Sequence, residues 1–197
     1  MKKKVEFFYD YGSPTSYLAW TQLVKLSDQY KFDLVFHPIL LGGIFKSTGN
    51  TAPITIEAKG NWLFDDIDRY AKLYGVSFVK NSFFPFNTIK VMRGAQWALK
   101  NGEITDYNKL LFNATWKEGQ DISDSSVIEK VFKTSKFNYN DFDSAVQTDK
   151  IKKDLMDANN KGLARGIFGV PTIFFDGAMH FGQDRLDWLK RSLESGE

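Results

Sequence analysis

Apolar residues follow two different rhythms along this chain. "KVEFFYD", residues 4 to 10, is a short run rich in aromatic side chains, which predicts a buried strand. From Pro14 to Tyr30 the apolar positions Tyr17, Leu18, Trp20, Leu23, Val24 and Leu26 recur at helical spacing, with Pro14 in the first turn, where a helix tolerates it best. "FDLVFHPIL" predicts a second strand ending near Pro38, and the resulting β-α-β unit should have parallel strands and a right-handed crossover. After Gly169 short runs return. "PTIFFDGAMHFG" reads as a hairpin turning at Asp176-Gly177. "DRLDWLKRSLESG" reads as a last helix capped by Asp184, with Leu186, Leu189 and Leu193 on one face.

The intervening stretch is different. "GGIFKSTGNTAP" reads as a loop, and five helical patterns follow: "IEAKGNWLFDDIDRYAKLYG", "TIKVMRGAQWALKNG", "ITDYNKLLFNATWKEG", "DSSVIEKVFKTS" and "YNDFDSAVQTDKIKKDLMDANNKGLARG". Each is opened by Asp, Ser or Thr or closed by Gly. The order β-α-β, helices, β-β-α is that of an α/β thioredoxin-like fold interrupted by a large all-helical insertion. The expected division is a thioredoxin-like domain from residues 1–42 and 164–197, with a helical insertion domain at 43–163.

Composition narrows the functional classes. The 197 residues suffice for one sizeable core, and 43% hydrophobic content with a formal charge of +2 describes a globular chain without the basic excess of a nucleic-acid binder. The lysine-rich start is followed by an apolar run that Glu6 and Asp10 break too early for a signal peptide. No later stretch reaches the roughly 18 uninterrupted apolar residues of a membrane span, so a cytoplasmic location is expected. The absence of cysteine excludes disulfide exchange, a protein-supplied thiolate and cysteine-ligated metal.

Two short motifs carry candidate chemistry. In "GSPTS" Ser13 is either a helix N-cap and nothing more, or a hydroxyl at a helix N-terminus, where unsatisfied N–H groups and the helix dipole favour an anion such as a thiolate. Disulfide oxidoreductases of this fold place C-x-x-C in the frame that here reads Ser13-Pro14-Thr15-Ser16. A serine cannot exchange disulfides, but it can donate a hydrogen bond to the sulfur of another molecule. In "GVPTIFF" Pro171 is either strand-edge punctuation or the cis-proline that faces the first helix in such folds, leaving the Val170 backbone free for an extended peptide. A peptide bearing a thiol fits both motifs, and glutathione is the cytosolic candidate.

Taken together, "FFYDYGSPTSYLA", "LLGGIFKSTGN", "FPFNTIKVMRG", "GVPTIFFDG" and "FGQDRLDWL" resemble the 2-hydroxychromene-2-carboxylate isomerases and the related kappa-class glutathione transferases, members of the DsbA-like thioredoxin superfamily. The resemblance runs from residue 5 to residue 189. It implies that Ser13 contacts the glutathione sulfur and that Lys46 and Asn50 meet glutathione or a substrate carboxylate. It further implies that Val170 and Pro171 form a backbone clamp and that Gln183 and Asp184 bind the γ-glutamyl end. Kappa-class chains usually carry serine where this one has Gln183. The implied reaction belongs to aromatic catabolism, with an aromatic carboxylate or an electrophile as substrate, glutathione as cofactor and a homodimer as the assembly.

Asn87 and Arg93 are further pocket candidates, with a helix cap and a solvated basic face as their plain alternatives; Arg93 offers a carboxylate a forked donor. Tyr9, Tyr11 and Trp62 either line an aromatic pocket or belong to the core. A serine hydrolase with Ser13 as nucleophile is disfavoured, because "GSPTS" is not G-x-S-x-G and His37 and His180 fall on predicted strands. "DDID" at 65–68 reads as a solvated helix face. Three functions remain: a glutathione-dependent isomerase, a kappa-type transferase, and a cysteine-less DsbA-like module that only binds peptides or proteins.

Overall fold

A computed structural model describes residues 2–195. Its sheet has four strands, β1 (Lys4–Tyr9), β2 (Asp33–Pro38), β3 (Thr172–Phe175) and β4 (Ala178–Phe181), in the order β2-β1-β3-β4. β1 runs parallel to β2 and antiparallel to β3, with Val5 opposite Phe175 and Phe7 opposite Ile173. The first and last β-runs of the chain are therefore neighbours at the centre of the sheet, as the thioredoxin-like order requires. Asp176-Gly177 makes the β3–β4 turn, with both residues at positive φ.

Alternation along β1 splits its side chains between two cores. Val5, Phe7 and Tyr9 face the larger apolar cluster, together with Ile173 and Phe175. Helix α1 (Pro14–Tyr30) adds Tyr17, Leu18, Leu23 and Leu26 to that cluster, and the helices inserted between β2 and β3 add Met92, Leu111, Phe112 and Trp116. One apolar cluster thus joins the sheet to the inserted helices. Phe8 and Phe174 face the opposite way, into a smaller cluster with Ile39, Ile44, Ile167 and Val170.

On this second face lies a charged group. Arg165 makes two hydrogen bonds to Glu6, at 2.7 and 2.9 Å, and its guanidinium carbon sits 3.9 Å from the centre of the Phe174 ring. His37 Nε2 is 2.9 Å from Glu6 Oε2, with its ring stacked on Phe8. The Arg165 hydrogen bonds hold the Glu6 carboxyl below its ordinary range against the upward pull of burial, and His37 adds to the lowering.

The insertion comprises α2 (Leu41–Thr48), α3 (Glu57–Tyr74), α4 (Ile89–Lys100), α5 (Ile104–Phe112), α6 (Ser125–Lys133), α7 (Tyr139–Gln147) and α8 (Asp149–Ala164), and α9 (Leu186–Ser195) closes the fold. Among the described residues no helix is long and apolar enough to cross a membrane. "DDID" lies on α3 as expected: Ile67 is buried, while Asp66 and Asp68 pair with Arg69 and Lys72.

Three elements differ from the sequence reading. "GGIFKST" is helix α2 rather than loop. Its first residues are held by distant groups: the Asn159 side chain on α8 bonds both the N–H and the C=O of Leu40, at 2.8 and 2.9 Å, and so stands in for a neighbouring strand. Gly43 is needed there, because a β-carbon would lie 2.5 Å from Asn159 Nδ2. The long pattern from Tyr139 divides at Thr148, which is extended and whose hydroxyl accepts from Ile151 N–H as the cap of α8. Asp184 is not the cap of the last helix. It lies inside a 3₁₀ turn, Gln183–Arg185, that precedes α9, and pairs with Arg185.

Two measurements follow. Asn159→Ala leaves the Leu40 N–H without a partner, whereas the Leu40 carbonyl still accepts from Gly43 and Ile44 N–H; a lost partner of this kind costs roughly 1–3 kcal/mol, so urea unfolding should show a loss of about that size, against little change for the exposed Met156→Ala on the same helix. A depressed Glu6 pKa contributes stability that is complete above the unfolded value of about 4.3 and is lost as pH falls through the folded value. The stability gap between wild type and Arg165→Gln should therefore narrow as pH falls below the unfolded value of about 4.3; a constant gap would dissociate Glu6 from that contribution.

Candidate functional site

The turn between β1 and α1 is clamped from below by the inserted helices. Tyr11 is fully buried. Its hydroxyl and that of Tyr9 both donate to Asn108 Oδ1 at 2.6 Å. Its carbonyl accepts from Trp116 Nε1 at 2.7 Å, and its N–H points to the Met92 sulfur at 3.4 Å. Trp116 reaches that position from a π-helical turn, Asn113–Lys117, which continues α5. Tyr9 and Tyr11 are thus core residues, whereas Trp62 is 60% exposed.

Asp10, which the sequence pattern marked only as the end of an apolar run, is the other clamp. Its carboxylate is 2% exposed. Oδ1 accepts from Gly12 N–H at 2.8 Å, while Oδ2 accepts from Leu41 N–H at 2.8 Å and from the Thr88 hydroxyl at 3.1 Å. Burial pushes its carboxyl up, and the three hydrogen bonds oppose that rise. The signal available in the sequence was a charged residue at the end of a strand with no opposite charge nearby.

Ser13 follows in extended conformation, φ −99° and ψ 111°, as the N-cap of α1. Its Oγ accepts from Ser16 N–H at 3.1 Å and lies 2.9 Å from Thr15 Oγ1. The remaining neighbour is the Val170 carbonyl at 3.5 Å, the outer limit of a hydrogen bond. The Val170–Pro171 peptide is cis, as expected from the sequence, and so is Phe84–Pro85. Val170 stands before the first paired residue of β3, Thr172, and so lies outside the ladder.

The other candidates divide into two groups. Asn50 belongs with Ser13 and Val170: its Nδ2 donates to the Phe168 carbonyl at 2.9 Å, which ties the end of α2 to the loop before Pro171. Its Oδ1 accepts from Thr51 N–H, so one amide hydrogen remains for a ligand. Lys46 is exposed in the last turn of α2 and enters no ion pair among the described residues. Gln183 is buried at the start of the closing turn, where its carbonyl accepts from the Tyr74 hydroxyl at 2.8 Å, and α1 packs against this turn.

Asn87 and Arg93 are not brought to Ser13 by any hydrogen bond among the described residues. Asn87 Oδ1 accepts from the N–H of Ile89, the first residue of α4, from the position before the cap residue Thr88, and Arg93 is half-buried on α4. Neither histidine bonds to Ser13, which leaves a hydrolase reading without a general base. A groove of about 630 Å³ between α5 and α6, lined by Lys109, Lys130 and Phe137 among others, includes none of the candidate residues.

A four-stranded thioredoxin-type sheet, helices inserted before the strand that follows a cis-proline, and serine in the frame of a redox cysteine define a thioredoxin-fold protein without a redox pair. The chain belongs to the DSBA-like thioredoxin domain family, whose model matches residues 4–194. It is 28% identical to a 2-hydroxychromene-2-carboxylate isomerase of Pseudomonas putida, over 96% of this chain and 93% of that protein. It is also 28% identical to glutathione S-transferase kappa 1 of Rattus norvegicus, over 94% of this chain and 88% of that protein. A solved structure of a 2-hydroxychromene-2-carboxylate isomerase superposes with a TM-score of 0.90 at 26% identity, covering 98% of this chain and 95% of that one.

The cap geometry predicts a modest cost for removing the hydroxyl. Ser13→Ala should keep the fold and lose about 1 kcal/mol in urea unfolding, the usual worth of an N-cap.

Proposed function

We propose that this protein is a glutathione-dependent isomerase of the 2-hydroxychromene-2-carboxylate type. The carrying observation is the Ser13 hydroxyl at the N-terminus of α1, beside the Val170 carbonyl in a chain without cysteine. The relatives support an enzyme acting through glutathione, isomerase or transferase, and the superposition on a solved isomerase is in keeping with the first.

The donor set fits a thiol peptide. If Thr15 donates to Ser13 and Ser16 N–H takes a second lone pair, the Ser13 proton is left with only the long contact to Val170, and a sulfur placed at the helix end would take it. The positive end of α1 favours the same sulfur as thiolate, against a thiol pKa of about 8.5 in water. Val170, outside the ladder, offers its backbone to an extended peptide in the manner of an added strand. Lys46 supplies a cation for a glutathione or substrate carboxylate, and the remaining Asn50 amide hydrogen supplies a further donor there. Gln183 and Asp184, beside α1, take the γ-glutamyl end. Arg93 and Asn87 are left at the margin of the site.

Bound glutathione would supply a nucleophilic sulfur that adds to a conjugated carbon and later leaves, so that the neighbouring bond can rotate in between. The chain's own residues hold that sulfur ionised and fix the substrate carboxylate relative to it. By resemblance, the protein acts as a homodimer.

The test is the thiolate absorbance of enzyme-bound glutathione against pH, with turnover of 2-hydroxychromene-2-carboxylate in parallel. A hydrogen bond to a charged sulfur contributes roughly 1.5–3 kcal/mol, so Ser13→Ala should raise the thiol pKa and slow turnover about ten- to a hundredfold at neutral pH. Ser13→Asp keeps an N-cap acceptor but puts a carboxylate beside the sulfur, and should raise the pKa further than Ser13→Ala. Coincident titrations would leave Ser13 as a helix cap only. Conjugation of a chloronitrobenzene without isomerisation would assign the transferase, and no glutathione binding at all would leave the peptide-binding module.

A further inference from the structure

Two of the three donors to the Asp10 carboxylate open segments that lead to a proposed ligand contact, and the third starts α4. Gly12 immediately precedes Ser13. Leu41 is the first residue of α2, which carries Lys46 and runs on to Asn50. Thr88 is the cap residue of α4 and follows Asn87. The Asp10 carbonyl completes the turn by accepting from Ser13 N–H at 3.0 Å. Gly12 fits closely against this arrangement, since a β-carbon there would come within 3.0 Å of the Thr88 methyl.

A carboxylate taken out of water gains little stability over well-packed apolar side chains, so stability alone does not explain it. What it adds is direction, because charge-assisted hydrogen bonds are short and angle-dependent. We propose that Asp10 is a positioning residue: its three hydrogen bonds fix the Ser13 turn relative to the start of α2, so that the Ser13 hydroxyl and the groups carried by α2 meet the same bound glutathione. The inference rests on the reading of Ser13 as the partner of the glutathione sulfur. Asp10 acts through Ser13 and does not itself touch the ligand.

Asp10→Asn tests it. The amide has the shape of the carboxylate but only one oxygen, so it cannot accept from Gly12 and Leu41 on both sides. Amide exchange at Gly12 and Leu41 should rise about tenfold or more while α6 is unchanged. The thiol pKa of bound glutathione should rise by about one unit, a tenfold fall in its acid dissociation constant. In a Ser13→Ala background the same substitution should leave the thiol pKa where Ser13→Ala put it.

Opposite results would overturn the proposal. If the thiol pKa falls, the loss of a nearby negative charge is the whole effect; if it is unchanged, or shifts equally with and without Ser13, Asp10 does not act through Ser13. Amide exchange that rises evenly across the protein would make Asp10 a general stabiliser. Should Asp10→Asn not fold, Thr88→Val removes one of the three bonds and should move both readouts in the same direction by a smaller factor. Were wild type to bind no glutathione, the functional reading would fall, and the exchange pattern at Gly12 and Leu41 would still decide whether Asp10 holds the two segments together.

Discussion

A carboxylate in a water-excluded interior must be surrounded by donors, and Asp10 has no arginine or lysine among its bonded partners. Its needs are met by two backbone N–H groups and a hydroxyl that lie far apart in the chain. That requirement brings the turn before α1, the start of α2 and the start of α4 to one point beneath the end of the central strand. The aromatic layer below does the rest: Tyr9 and Tyr11 share one asparagine oxygen, and Trp116 supports the Tyr11 carbonyl. The loop that carries Ser13 is therefore built largely by residues of the inserted helices, although it belongs to the sheet in sequence.

How much of this is legible in the sequence depends on the range of the interactions involved. The limits of α1, the parallel pairing of β1 with β2, and the hairpin at Asp176-Gly177 follow from local spacing, an N-cap serine with proline after it, and turn chemistry. Helix α2 does not, because two glycines at its start argue against a helix and the groups that hold that start, Asn159 and Asp10, are both distant in the chain. The break at Thr148 is hidden because a threonine inside an apolar period looks like an ordinary polar position until its extended backbone is seen. Asp184 has the right residue type for a cap but sits past the true start of its turn, at Gly182. Ser13 and Val170 are brought together as their motifs suggested, while no hydrogen bond among the described residues joins Asn87 or Arg93 to them, and spacing along α4 and the residues before it carries no information about contacts with another element.

The geometry of Ser13 as a helix cap leaves room for the second reading that the sequence offered. Its acceptor lone pair caps the helix, and the Val170 carbonyl lies 3.5 Å from the same oxygen. A hydroxyl can accept and donate at once, because donor and acceptor are on the same atom. A thiol in the same frame would be a poorer cap and a redox centre; the serine keeps the anion-favouring end of the helix and gives up electron transfer.

The π turn at Asn113–Lys117 holds one residue more than an α-helical turn would, with Glu118 N–H bonded back to the Asn113 carbonyl at 2.9 Å. Each residue of a helix advances the side-chain direction by about 100°. A single deletion anywhere between Leu111 and Trp116 would remove the extra residue, swing the indole away from the Tyr11 carbonyl and shift the Trp116 carbonyl from the Val79 N–H that it accepts at 2.7 Å. In drift by insertion and deletion, this short segment is therefore far less tolerant of a change in length than of a change in composition at its exposed position, Lys117.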